Sequence, residues 1–310
     1  MEHDHRRLIK FGNSSHIISL PNNWIKKHKL KKGDLIYIEE NGNGEMILSS
    51  EIKKITNETN IEYDDLDELN RKLISSYIAG YDIIKIKVKN LNHNDLIRSY
   101  LEKLMSFEIV YQLEDKIIAK DLLDIKETQV INLIRRIDTI NQSMFEDSKS
   151  SYKEKNYENI YKRDIYINKL TYLCLRILKK CLEDPNLIKK VGLKNDKLIE
   201  IWELITSLEN IGDNIKRISG ILTRIGNTKK LNGLLLVYNK VYKEYVEAMK
   251  SYYKNNKLLA YQVSSKKGEI INECNDLAKK HGNNPNIINM LEKIKTIEVL
   301  TRNICRSVYQ

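Results

Sequence analysis

The stretch that decides the fold is Leu208-Glu209-Asn210-Ile211-Gly212-Asp213-Asn214-Ile215. Its apolar residues recur with the period of an amphipathic α-helix. Glu209 and Asp213 are four residues apart, so a helix places both carboxylates on one face, one turn apart. Asp164 and Asn168 have the same spacing upstream. If the two helices pack antiparallel, three carboxylates and one amide oxygen form an all-oxygen site suited to a hard divalent or ferric ion. The alternative is a solvated acidic face, because acidic pairs at this spacing are common in a chain with 31% charged residues.

The sequence around this stretch occurs twice. Residues 179–188 match residues 279–288, and residues 208–215 match residues 297–304. The second copy has 11 fewer residues between its proline and its glutamate. Eleven residues are about three helical turns, so the difference predicts a shorter helix with an unrotated apolar face. The repeat predicts two related three-helix bundles, residues 126–227 and 228–310, with five or six helices in all.

The Glu-Asn-Ile-Gly-Asp sequence and its duplication resemble the PhoU family, regulators of phosphate uptake built from two tandem three-helix bundles. Members bind metal clusters through E/D-x-x-x-D motifs. The resemblance covers residues 126–310 and implies that Glu209 and Asp213 are metal ligands. It implies the same role for Asp164, with Asn168 in place of the second acid.

The second copy departs from this motif. Asp213 corresponds there to Thr301 or Arg302, and only Glu298 remains as an acid. Ser264 and Gly268 stand at the positions of the upstream pair. Metal is therefore expected in the first helical bundle and not in the second.

The first fifty residues have the alternation of strands around one short helix. Strands are predicted at residues 8–11, 16–20, 35–38 and 46–48, with a helix at 22–30 and a hairpin signal at 41–44. Four short strands are too few to bury both sheet faces, which predicts an obligate homodimer.

This module resembles the AbrB/MazE swapped-hairpin domain through Lys10-Phe11-Gly12-Asn13-Ser14, Ile18-Ser19-Leu20-Pro21 and Leu30-Lys31-Lys32-Gly33-Asp34. Such domains form interlaced dimers and often bind DNA. Phosphate contacts are expected from basic residues of the first strand, and base contacts from the following loop. The candidates are Arg6, Arg7 and Lys10 for phosphates and Asn13, Ser14 and His16 for bases. Dimerisation without DNA binding is the alternative.

Residues 51–125 predict a small α+β connector, with a helix from Asp64 to Ile78, a strand at 82–88, a helix at 94–105 and a hairpin at 107–119. The complete expectation is a multi-domain α+β protein. Its parts are an N-terminal swapped-hairpin β module (1–50), the connector (51–125) and an all-α pair of three-helix bundles (126–310).

Composition narrows the class of protein further. Lys and Arg number 53 against 42 Asp and Glu, a net charge of +11, and residues 126–310 alone carry +13. Four cysteines without a C-x-x-C pair argue against a disulfide framework or a zinc site. The absence of a signal-peptide core and of a long apolar stretch predicts a cytoplasmic protein. Nucleotide-binding glycine motifs are also lacking.

These observations predict a non-enzymatic, DNA-binding regulator of phosphate uptake and phosphate homeostasis. By resemblance, its partners are a second copy of itself, DNA, and a phosphate-transporter ATPase or a regulatory kinase. Contact with a membrane is expected to be peripheral at most. The alternatives are a metal-dependent helical-bundle enzyme and an antitoxin-like DNA-binding protein.

Overall fold

The computed structural model describes residues 5–40, 44, 46–50, 57–226, 228, 231–266, 268–282 and 284–309. The chain divides into two compact units, Met1–Ile55 and Thr56–Gln310. No helix in the described part of the chain is long and apolar enough to span a membrane.

Two antiparallel strand pairs and a short helix form the first unit. Strand β1 (Ile9–Phe11) pairs with β2 (Ser15–Ile17), helix α1 follows (Asn22–Lys27), and β3 (Tyr37–Glu40) pairs with β4 (Met46–Ser49). All four predicted strands and the helix are present, with bounds shifted by one to three residues. Residues 41–43 of the predicted hairpin turn at 41–44 lie outside the described residues.

The first unit has no core of its own among its described residues, since none of them is buried. Ten of its described large apolar and aromatic side chains are instead exposed. They are Leu8, Ile9, Phe11, Ile17, Ile18, Leu35, Tyr37, Ile38, Met46 and Ile47. An isolated two-stranded hairpin is marginally stable in water, so these side chains need a partner surface.

The second unit begins with a four-stranded sheet in the order β5-β6-β8-β7. Its elements are β5 (Glu58–Ile61), α2 (Leu66–Ile78), β6 (Ile83–Lys87), α3 (Asn94–Leu101), β7 (Phe107–Gln112) and β8 (Lys116–Asp121). Asp65 caps α2 by accepting a hydrogen bond from the Glu68 amide at 2.7 Å, and Gly80 follows the helix at φ +94°. Strand β5 was not predicted, because only Ile61 of its four residues is buried and an edge strand needs no apolar alternation.

Eight α-helices form the remainder of the described chain. They are α4 (Val130–Ser148), α5 (Tyr157–Glu183), α6 (Pro185–Lys190), α7 (Leu198–Ile225), α8 (Leu231–Tyr253), α9 (Lys257–Ser265), α10 (Glu269–His281) and α11 (Pro285–Tyr309). Helices α4, α5 and α7 form the first bundle; α8 to α11 form the second, with α9 and α10 in the place of one long helix. The α7 and α11 helices pack against each other. The predicted α+β class with paired bundles is confirmed.

The prediction that the extra residues of the first repeat lengthen one helix is wrong. Pro185 begins the separate helix α6, and a turn containing Gly192 at φ +76° leads on to α7. In the second repeat, Pro285 begins α11 itself. A left-handed glycine ends a helix, so the additional residues form an independent element.

The α+β part is attached to the bundle through Arg176 of α5, whose side chain is fully buried. Its guanidinium donates two hydrogen bonds to Oδ2 of Asp121, at 3.1 and 2.7 Å, and one to the carbonyl of Tyr77, at 2.6 Å. A longer contact of 3.3 Å reaches Asp82, which also binds Lys180. The guanidinium also lies over the rings of Tyr77 and Phe107. One side chain of α5 therefore contacts a helix, a loop and the sheet.

Replacing Arg176 with Met should lower the free energy of unfolding by about 3–5 kcal/mol, because it leaves the buried Asp121 carboxylate without its cation. Arg163→Met is the matched control. It breaks an ion pair with Asp147 that is partly exposed on both sides, so a loss of at most about 1 kcal/mol is expected. Urea denaturation measures both. Equal small losses would show that Arg176 is not needed to hold the α+β part.

Candidate functional site

Helices α5 and α7 bring the four predicted metal-site residues together. Asp164 and Asn168 lie on α5, and Glu209 and Asp213 lie on α7, which packs against it. Asp164 is almost fully buried, whereas the two α7 carboxylates are half-buried. The structure thus places the predicted site residues on two helices that pack against each other. We call these four residues the acid cluster.

A lysine lies between the two aspartates of the acid cluster. Nζ of Lys216 donates to Oδ2 of Asp164 at 2.8 Å and to Oδ1 of Asp213 at 2.7 Å. Arg217 Nε lies 2.6 Å from the other oxygen of Asp213. Both aspartates are therefore neutralised by cations of α7.

Burial and mutual repulsion govern the protonation of the cluster. Burial raises the pKa of Asp164, and the Lys216 ammonium opposes this effect. Burial also raises the pKa of Glu209, and the charges of Asp213 and Asp164 add to the rise. Burial lowers the pKa of Lys216, but its hydrogen bonds to the two aspartates outweigh that effect and the net pKa is raised. Lys216 is therefore a permanent cation at neutral pH.

The acid cluster keeps two oxygens without a partner: Oδ1 of Asp164 and Oδ1 of Asn168, both buried. In the described part of the chain, the acid cluster included, no group of three or more His, Cys, Asp or Glu side chains is arranged to hold a metal ion. The divalent or ferric ion stays a prediction. The side chains as placed do not fit it, because an ammonium group stands between the ligands.

The second bundle has a comparable cluster. Glu298 of α11, almost fully buried, forms an ion pair with Arg302 one turn later. Glu244 of α8 faces the same carboxylate, and burial together with Glu244 raises the pKa of Glu298. One oxygen of each glutamate and the hydroxyl of Ser264 are buried without a partner. The sequence named Glu298 as the only acid of this site, and the structure adds Glu244.

The predicted DNA-contacting residues lie on the β1–β2 hairpin and the segment before it. Lys10 of β1 is the cross-strand partner of His16, so the two side chains share one face. Asn13 and Ser14 occupy the connecting turn, and Arg6 and Arg7 precede β1. All six side chains are exposed.

Sequence reasoning overlooked the basic residues of the acid cluster. Lys216 and Arg217 follow Asp213 at three and four residues, which is the helical spacing of ion pairs, so a signal was available. Glu244 carried no signal, because it comes from a helix that has no motif.

A groove of about 820 Å³ lies elsewhere in the described chain. It is lined by α3, by the edge strand β7 and by Tyr166 and Lys169 of α5. None of the residues of the acid cluster lines it.

Comparison with known proteins finds two similarities. Residues 9–57 match the family described as "Antidote-toxin recognition MazE, bacterial antitoxin". The crystal structure of PhoU from Pseudomonas aeruginosa matches with a TM-score of 0.52 at 16% sequence identity, covering 58% of this chain and 93% of that chain. At this identity the second match shows a shared fold. A search of curated proteins finds no match. Both resemblances read from the sequence are confirmed.

Gly212 allows the acid-bearing helix to approach its neighbours. A Cβ atom at this position would lie 2.8 Å from Oδ1 of Asn141 and 2.9 Å from Cδ1 of Ile167. Both neighbours are fully buried, and Asn141 donates to the carbonyl of Leu208 at 2.8 Å. Neither side chain can move without loss of packing or of this hydrogen bond.

Gly212→Ala should therefore destabilise the protein. Overpacking costs about 1–3 kcal/mol, which exceeds the ~1 kcal/mol that alanine contributes through helix propensity. Gly233→Ala in α8 is the control, since its Cβ would meet only the tip of Leu277 at 3.3 Å. The control should be neutral or stabilising in urea denaturation. Equal effects of both variants would contradict the close-approach explanation.

Proposed function

We propose that this protein is a non-enzymatic, DNA-binding transcriptional regulator of phosphate uptake and phosphate homeostasis. The observation that carries the proposal is the presence of a MazE-like hairpin module and a PhoU-like helical fold in one chain. The first supplies a surface for DNA, and the second supplies a sensor or interaction domain.

The exposed apolar side chains of the first unit support a homodimer. Phe11, Leu35 and Met46 are each at least 65% exposed, although they lie in or beside strands. A second copy of the same strands covers these side chains on both subunits at once, as a two-fold interface does. The module then gains a core that one chain lacks.

The β1–β2 hairpin supports DNA binding. A two-fold dimer presents two hairpins, each with Lys10 and His16 side by side and Arg6 and Arg7 at its base. Basic side chains neutralise phosphates, and the turn residues Asn13 and Ser14 have the groups to reach base edges.

The helical part is proposed to bind a protein. Its net charge of +13 suits an acidic surface, such as that of a phosphate-transporter ATPase or a regulatory kinase. Lys216 and Arg217 engage the aspartates that a hydrolytic enzyme would need free as bases, which favours a regulator over the enzyme alternative.

An antitoxin-like DNA-binding protein is the second candidate, and the match of residues 9–57 favours it. The two candidates differ in their partners. Affinity purification from the native host distinguishes a small toxin from a transporter ATPase or kinase.

The proposed regulation is tested at promoters. In gel-shift titrations, the protein should bind its own promoter and a phosphate-transporter promoter more tightly than random DNA of equal length. Deletion of the gene should change phosphate uptake in cells. No preference for either promoter and unchanged uptake would contradict the proposal.

Dimerisation is expected to depend on the first unit. Ile38→Asp should convert the dimer to a monomer, because the charge would be buried at the interface without a partner. Ile199→Asp, at an exposed position of α7, is the control and should leave the dimer unchanged. Analytical ultracentrifugation measures both, together with a chain lacking residues 1–55. A dimer that persists without these residues would place the interface in the helical unit.

DNA binding is expected to depend on the hairpin cations. Changing Arg6, Arg7 and Lys10 together to Ala should weaken binding at every sequence. It should also reduce the slope of log K against log salt by about 0.9 for each phosphate that is no longer neutralised. Fluorescence anisotropy over a salt series measures both quantities.

The matched control changes Lys26, Lys27 and Lys32 to Ala. It removes the same charge from exposed positions of the same unit but leaves the hairpin intact. A smaller change of slope is expected. If the control has the larger effect, DNA is held by the α1 side of the module.

A further inference from the structure

We propose that Lys216 and Arg302 are built-in cations that take the place of metal ions, one in each helical bundle. The chain would then have a PhoU-like fold whose buried carboxylates are neutralised by its own basic side chains. Such a fold needs no metal cluster. The proposal is independent of the regulatory function proposed above.

The Lys216 ammonium occupies the position that a shared metal ion would need. It donates to Asp164 on α5 and to Asp213 on α7 at 2.8 and 2.7 Å, so it bridges carboxylates from two helices. A metal ion held by both ligands would have to lie in the same space. Only 18% of the Lys216 side chain is exposed, and 4% of that of Asp164. The ion pair is thus part of the bundle interior.

The charges of the acid cluster are nearly balanced. Its three carboxylates face two cations, Lys216 and Arg217. Most of the negative charge that would attract a divalent ion is already neutralised. An additional dication close to an ammonium and a guanidinium would be repelled by both, and the repulsion is strong where water is partly excluded.

The arrangement recurs in the second bundle. Arg302 contacts Glu298, which is 1% exposed, while Glu244 approaches from α8. The basic residue of the second bundle differs from that of the first in type and in its distance along the helix from the glutamate. Lys216 stands seven residues after Glu209, and Arg302 stands four after Glu298. Both bundles nevertheless pair a buried acid with a basic side chain of the repeated helix, Lys216 on α7 and Arg302 on α11.

Two oxygen atoms of the acid cluster have no hydrogen-bond partner although Lys216 is present. Oδ1 of Asp164, whose other oxygen binds Lys216, and Oδ1 of Asn168, one turn further along α5, are buried without a hydrogen bond. Together with Asp213 and Glu209 they are hard oxygen donors, which suit Mn²⁺ and similar ions. Removal of the ammonium would therefore open a cation site.

The test compares wild type with Lys216→Met, which keeps the length of the side chain and removes its charge. Both proteins are purified without chelator, incubated with Mn²⁺, desalted and subjected to elemental analysis and thermal denaturation. Wild type should retain only background Mn²⁺ and show no shift in Tm. Lys216→Met should have a lower Tm without metal, recover it with Mn²⁺, and retain about one ion per chain.

Lys240→Met is the matched control, because it breaks an exposed ion pair with Glu273. It should behave as wild type. Stoichiometric Mn²⁺ in wild type, absent after changing Glu209 and Asp213 to Ala, would overturn the proposal. A folded Lys216→Met protein that takes up no Mn²⁺ would overturn it as well.

If Lys216→Met does not fold, the double variant Lys216→Met/Asp164→Asn tests the proposal instead. It removes the buried charge of Asp164 together with the ammonium of Lys216. Recovery of folding in the double variant, or in Mn²⁺-supplemented medium, would support the role of Lys216 as the cation of Asp164. Failure of both to restore folding would overturn it.

Discussion

Buried carboxylates must be neutralised where they lie, and this constraint shapes the second unit, Thr56–Gln310. A charge removed from water is costly unless a partner compensates it. Arg176 does so for Asp121 at the junction of sheet and bundle, Lys216 for the aspartates between α5 and α7, and Arg302 for Glu298 in the second bundle. Each of these basic side chains is largely buried. The interior of the unit is therefore organised by ion pairs as well as by apolar packing.

A buried carboxylate that accepts hydrogen bonds from two tyrosines joins the two bundles. Asp138 of α4 is almost fully buried and accepts hydrogen bonds from the hydroxyls of Tyr245 and Tyr253 of α8, at 2.7 and 2.9 Å. Burial and the nearby Asp138 charge raise the pKa of Tyr245 well above its ordinary value, so this tyrosine stays a donor. The two tyrosines thus fix one bundle against the other through a carboxylate.

The two compact units of the chain contrast in how they bury apolar surface. The second has two continuous cores, one in the α+β part and one through both bundles. In the described part of the first unit, no side chain is buried. This contrast suits the proposed division of roles. The first unit gains its core from a second copy and so presents paired hairpins. The second unit buries its own core and is available to bind another partner.

The sequence by itself determined that residues 126–310 are helical, where most strands lie, and which helix face carries Glu209 and Asp213, because these depend on local periodicity. Glu209 and Asp213 had to share a face wherever the helix lay. The repeat also determined that there are two bundles. Only the tertiary structure decided which charges on different helices meet. That Lys216 reaches Asp164 on another helix, and that Glu244 faces Glu298, depends on the packing of helices far apart in the chain. Strand β5 likewise exists through its pairing with β6, since its own residues lack the alternation of a half-buried strand.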